Sequence, residues 1–123
     1  MPRTALAAGA YKTIKGPNPG TVNPGDLTFA PVASDNTNGN TFVPAVGDIL
    51  LIQNTHASLA RTITLTSFPD ERGRLGTIAS YSLAAGEIAF FHFGDLTGWK
   101  QSDGTIWLDS SGAEIKYLIL RKQ

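Results

Sequence analysis

No cysteine occurs among the 123 residues, which excludes disulfide staples, thiolate metal sites and cysteine nucleophiles. Net charge is absent too: ten basic residues balance ten acidic ones. The basic stripe of a nucleic-acid binder is therefore missing. Nothing in the charge balance calls for an anionic membrane surface, and weak self-repulsion suits a protein that joins an assembly. No apolar stretch approaches the roughly 18 residues of a membrane-spanning helix. The opening Met1–Ala10 has an A-x-A flavour, but its apolar core is too short and weak for a secretory signal, so it reads as mature sequence of a protein made and used without secretion. Sustained 3.6-residue periodicity, heptads and internal repeats are lacking as well. The length suits one domain with a core that needs neither metal nor disulfide.

What is present divides into two halves. Six of the seven prolines fall in the first 44 residues. Lys15–Gly25 combines prolines and glycines that remove ladder donors and weaken strands, so it is neither a central strand nor a helix. Leu27–Ala30 reads as a short strand stopped by Pro31, Ser34–Asn40 as a polar loop, and Thr41–Val43 as the start of an edge strand. Leu6, Tyr11 and Ile14 give this half apolar anchors. They point to an extended arm over residues 1–25 that docks on a neighbour, with a β domain over residues 26–123 that survives its loss.

From Gly47 onward, strand and turn signals alternate. Ile49–Ile52, Thr62–Thr66, Ile78–Leu83, Glu87–Phe93, Thr105–Leu108 and Ile115–Leu120 are separated by Asn-, Pro-, Gly- and Ser-rich clusters. Short strands at this spacing predict an all-β, two-sheet antiparallel sandwich, jelly-roll-like, built from hairpin-like units. The continuously apolar Ile49–Ile52 is expected to be covered on both faces. In Arg61–Thr66, Ile63 and Leu65 face in. Gly86 suits the left-handed position of a three-residue hairpin loop, and Asp103-Gly104 a type I′ turn. That turn places Lys100 opposite Trp107 and Trp99 opposite Leu108. Trp99, Ile106 and Leu108 then face the core, and Lys100 and Trp107 face away from it.

Catalytic patterns are hard to assemble. The only histidines, His56 in a loop and His92 on the less buried face of a strand, lack H-x-H or H-x₃-H spacing, and a metal would need acids as remote as Asp48, Glu87 or Asp95. There is no G-x-S-x-G elbow. Asp70 and Glu71 sit in an alternating-charge loop that reads as solvated surface rather than a glycosidase pair. Gly94–Gly98 lacks the lysine and helix of a phosphate loop. No cofactor, metal or catalytic residue is expected.

Tyr81, Phe90, Phe91, Phe93 and Trp99 fall on strand positions and are expected in the core. Trp107, facing away from it, could stack on a sugar, anchor a protein interface or lie under the chain's own N-terminal arm. Without a second platform aromatic, the interface and arm readings are preferred. Leu6, Tyr11, Ile14, Lys100 and Trp107 are thus the candidate interface residues.

The order of segments resembles a group of small β-rich proteins of tailed bacteriophages, capsid decoration (cement) or other minor virion proteins. The resemblance rests on Gly47–Thr55, Thr62–Leu65, Gly73–Ile78, Tyr81–Glu87, Gly98–Gly104 and the closing apolar strand, and covers about residues 45–121. It implies a virion structural protein, made in the host cytoplasm, that decorates and stabilises a capsid lattice. Its partners would be the major capsid protein or sister subunits, in a homotrimer, with neither nucleic acid nor membrane. A carbohydrate- or receptor-binding sandwich using Trp107 and the 54–61 and 70–74 loops is the alternative reading. A cupin-like enzyme would need a metal constellation that the sequence does not offer.

Overall fold

The computed structural model describes residues 3–14, 30–69, 72–73 and 75–122. Two five-stranded sheets pack face to face as an all-β sandwich. The first sheet runs β1 (Thr4–Ala5), β4 (Asn40–Phe42), β9 (Ile106–Ser110), β6 (Arg61–Thr66) and β7 (Ile78–Leu83). The second runs β2 (Tyr11–Ile14), β10 (Ile115–Lys122), β5 (Asp48–Asn54) and β8 (Ile88–Phe93), with β3 (Val32–Ala33) also on β10. All six strand segments read after Gly47 appear as β5 to β10.

The connections differ from the expected hairpins. Of the strands from β5 onward, only β6 and β7 are consecutive and paired. At every other step the chain crosses from one sheet to the other. The turn residues fit both outcomes. Gly86 takes the left-handed conformation (φ +81) and Glu87 N donates to Ala84 O, but this corner joins opposite sheets. Asn54 fixes the β5–β6 crossing. It is fully buried, its amide donates to Leu59 O and Leu83 O at 3.0 and 2.9 Å, and its carbonyl accepts from His56 N at 3.0 Å. The Asp103-Gly104 turn also departs from expectation. Gly104 N donates to Gln101 O and Gln101 N to Thr105 O, so the turn closes one residue earlier than a type I′ hairpin and no strand forms over 99–102. β9 pairs instead with β4 and β6.

The largest correction concerns the arm. Residues 3–14 complete both sheets: β1 pairs in parallel with β4, and β2 in parallel with β10. The sheets are therefore mixed, not wholly antiparallel, and β4 lies between β1 and β9 instead of at an edge. Leu6 and Ala10 are buried in the common core with Phe42, Leu50, Ile63, Ile106 and Tyr117. The physical reason is the expense of leaving such groups in water: β4 and β10 each have a free side that β1 and β2 fill, while Leu6 closes over the core. The rest of the expected arm, Lys15–Gly25, and most of the Leu27–Ala30 strand lie outside the described residues.

Alternation in β6 and β9 follows the expected faces. Ile63, Leu65, Ile106 and Leu108 are buried, and Trp107 is half-buried on the opposite face. In β5, Leu50, Leu51 and Ile52 are all buried, so the central strand of the second sheet is covered on both faces. Phe93 contacts Phe42 and Trp99 edge to face, with centroids 5.9 and 6.4 Å away.

Candidate functional site

The five candidate interface residues do not converge. Leu6 is a core residue, 8 % exposed. Tyr11 is half-buried against the core, where its hydroxyl accepts from Val43 N at 3.2 Å and the Arg121 guanidinium lies 5.0 Å from its ring. Ile14 pairs through its backbone with Lys122, and its side chain lies outside the described residues. Lys100 is exposed at one end of the sandwich. Trp107 lies beneath Arg3, whose guanidinium carbon is 4.6 Å from the ring centroid. Of the roles weighed for Trp107, contact with its own N-terminal segment is the one the fold displays. The shared face of Lys100 and Trp107 disappears with the hairpin that would have aligned them.

Lys100 borders an open cleft of about 510 Å³ between the 68–69 and 96–101 segments, floored by Phe68 and Leu96. A neighbouring depression of about 320 Å³ continues past Leu75, Asp95 and Trp99. The polar groups here are committed to the loops themselves. Gln101 is buried and donates to Thr66 O at 3.0 Å, and Phe68 N donates to Gly98 O at 2.7 Å. The Asp95 carboxyl lies below its ordinary range because the Thr97 backbone N–H and then its hydroxyl bond to it. Asp70, Glu71 and Arg74, from the loop weighed as a binding element, lie outside the described residues.

The histidines have separate settings. His56 Nδ1 accepts from Ser58 N and Leu59 N at 3.0 and 2.9 Å, closing its own loop, and His92 is exposed on β8. No three His, Cys, Asp or Glu side chains cluster as metal ligands among the described residues. Tyr117 is buried, and burial pushes its pKa well above the ordinary value.

Two aromatics expected in the core, Phe90 and Tyr81, are instead exposed, and Ile88 is exposed with them. Phe90 is 62 % exposed, Tyr81 47 % and Ile88 41 %. All three belong to β7 and β8, the last strands of their respective sheets, which lie on the same side of the sandwich. Tyr81 meets the inward-leaning Phe91 edge to face at 6.1 Å, joining the two edges. On the outer face, Phe90 continues a row with Leu51 and Leu118, its successive cross-strand neighbours. A signal is legible in the sequence: His92 is expected on the less buried face, and Phe90 and Ile88 share its parity. No protein-family model, curated protein or solved structure matches the chain.

Proposed function

We propose that this chain is a structural protein that acts through protein–protein contacts, decorating and stabilising a tailed-bacteriophage capsid, and that it does no chemistry of its own. The observation that carries this reading is the exposure of Phe90 and Ile88 on one face of β8, with Tyr81 exposed at the adjoining edge of β7. Large apolar side chains exposed on a strand suit a standing contact with another protein surface. Zero net charge is compatible with dense packing on a lattice. The major capsid protein and sister subunits are the partners this role requires, and the virion is where the chain would reside. The Arg3 guanidinium occupies one face of Trp107, which leaves the glycan-stacking alternative with less support.

Peptide mass spectrometry of purified virions that encode this chain tests the reading. The expected result is the chain in intact particles at a fixed ratio to the major capsid subunit. Its restriction to the soluble lysate, with glycan binding by the isolated protein, would overturn it in favour of the carbohydrate-binding alternative.

A further inference from the structure

We infer that β8 is a self-association edge, through which two copies of this chain pair as antiparallel strands about a dyad at Phe90. The inference is independent of the capsid reading: a chain can dimerise without decorating a capsid, or decorate one as a monomer.

Among the described residues, β8 is the terminal strand of its sheet and pairs only with β5, at Ile88↔Gln53 through Phe93↔Asp48. Asn54 N donates to Glu87 O at one end, and Gly47 N to Phe93 O at the other. In an antiparallel ladder, alternate residues turn their N–H and C=O groups to the same neighbour. Ala89, Phe91 and Phe93 therefore address β5. Ile88, Phe90 and His92 turn theirs outward, where no other strand is paired among the described residues.

Edges of this kind are ordinarily blunted by charge, proline, a bulge or extreme shortness. β8 has none of these: Ile88–Phe93 contains no Asp, Glu, Lys, Arg or Pro, and its register with β5 is unbroken. The neighbouring edge shows the contrast. β7 carries a register shift opposite Ile63/Leu65, and Ser80 there has a positive φ of 51°. One edge is interrupted and the other is left continuous and apolar.

The occupant follows from symmetry. With the dyad at Phe90, the outward groups of Phe90 face those of Phe90 in the second copy, and Ile88 faces the second His92. Each such pair can exchange both of its N–H···O bonds. All three side chains lie on the outer face, so the exposed Phe90 rings become cross-strand neighbours flanked by Ile88 and His92. No like charges meet. Because the contact is isologous, it closes at two copies and cannot by itself build the expected trimer.

Sedimentation equilibrium of the full chain at micromolar concentration is the first test. The expected mass is twice 13.1 kDa. Phe90→Lys should weaken the dimer by about a hundredfold or more, because it puts two ammonium groups at the dyad. Its circular dichroism at low temperature should match the parent, since Phe90 is mostly exposed. Register is tested separately, using the absence of native cysteine. A mixture of Ile88→Cys and His92→Cys chains should cross-link with a short bis-thiol reagent much faster than either variant alone. A monomer at every concentration, a three-fold mass, a dimer indifferent to Phe90→Lys, or equal cross-linking in all three samples would each overturn the inference. None of these outcomes depends on whether the chain binds a capsid.

Discussion

Arg3 lies over Trp107 while its two terminal guanidinium nitrogens hold the two carboxylate oxygens of Asp109, each at 3.0 Å. One side chain near the start of the chain thus clamps two outward residues of β9, a hundred positions later in sequence. Gly39 makes room for the clamp. It sits at φ +80°, and a Cβ there would run into the Arg3 guanidinium and lie 2.6 Å from Asp109 Oδ1. Arg3→Ala is expected to cost about 1–2 kcal/mol, the sum of a partly exposed cation–π contact and a solvent-screened ion pair. Gly39→Ala should cost more, about 2–3 kcal/mol, since it adds left-handed strain to the displaced clamp. Urea denaturation checks the order. Equal stability of Gly39→Ala and the parent would show that the clamp is not held as described.

The N-terminal segment should be indispensable to folding. Leu6→Ala is expected to destabilise the protein by about 2–4 kcal/mol through lost burial and the cavity left behind. A chain lacking residues 1–14 loses two strands and the core residues Leu6 and Ala10, and should fail to melt cooperatively. Circular dichroism melts of both variants decide this. A truncated chain that melts like the parent would restore the separate-arm view.

The ion pair of Asp48 and Arg121 should respond asymmetrically. Asp48 is 1 % exposed and accepts from Arg121 Nε and Nη2 at 2.9 and 2.8 Å, and from Ala45 N at 2.8 Å, whereas Arg121 is 34 % exposed. The Asp48 hydrogen bond raises the Arg121 pKa. Arg121→Met strands a buried carboxylate and should cost about 3 kcal/mol or more. Asp48→Asn leaves a guanidinium that water can reach and should cost less. Denaturation of the two variants near neutral pH gives the ranking, and the reverse order would contradict this account.

Acid should loosen the tie between the first strand and the loop before β4. The Asp35 carboxyl is lowered from 3.8 to about 2, chiefly by the Thr4 hydroxyl and then by the Asn38 backbone N–H. A depressed carboxyl pKa contributes stability that is fully present above the unfolded value and disappears as pH falls through the folded one. The stability gap between the parent and Asp35→Asn should therefore be constant above about pH 4 and close between about pH 4 and pH 2. Melting temperatures across that interval check it; a gap that persists at pH 2 would mean the carboxylate is not what Thr4 and Asn38 recognise.

Strand positions were legible in the sequence, and faces were legible where a strand alternates, as Ile63/Leu65 and Ile106/Leu108 illustrate. Strand partners were not. A glycine corner such as Gly86 has the same residues whether it returns to the same sheet or crosses to the other, so local chemistry predicts the bend and not its destination. The pairing of the N-terminal segment is not legible in the sequence, because β1 and β2 are short, parallel and stabilised by partners far along the chain. Nothing in Thr4–Ala5 announces Asn40–Thr41. The candidate surface was hidden for a related reason. An aromatic at a strand position is ordinarily core, and only the place of β8 at the end of its sheet leaves Phe90 uncovered. The Ile88/Phe90/His92 parity pointed to the right face, but the edge itself is a property of topology.

Titration of the purified chain onto capsids assembled without it, followed by co-sedimentation, tests the proposed role most directly. The account predicts binding that saturates at a fixed ratio of chain to capsid subunit, and decorated capsids that open at a higher temperature than bare ones. Absence of co-sedimentation, or uptake that never saturates and leaves the opening temperature unchanged, would contradict it.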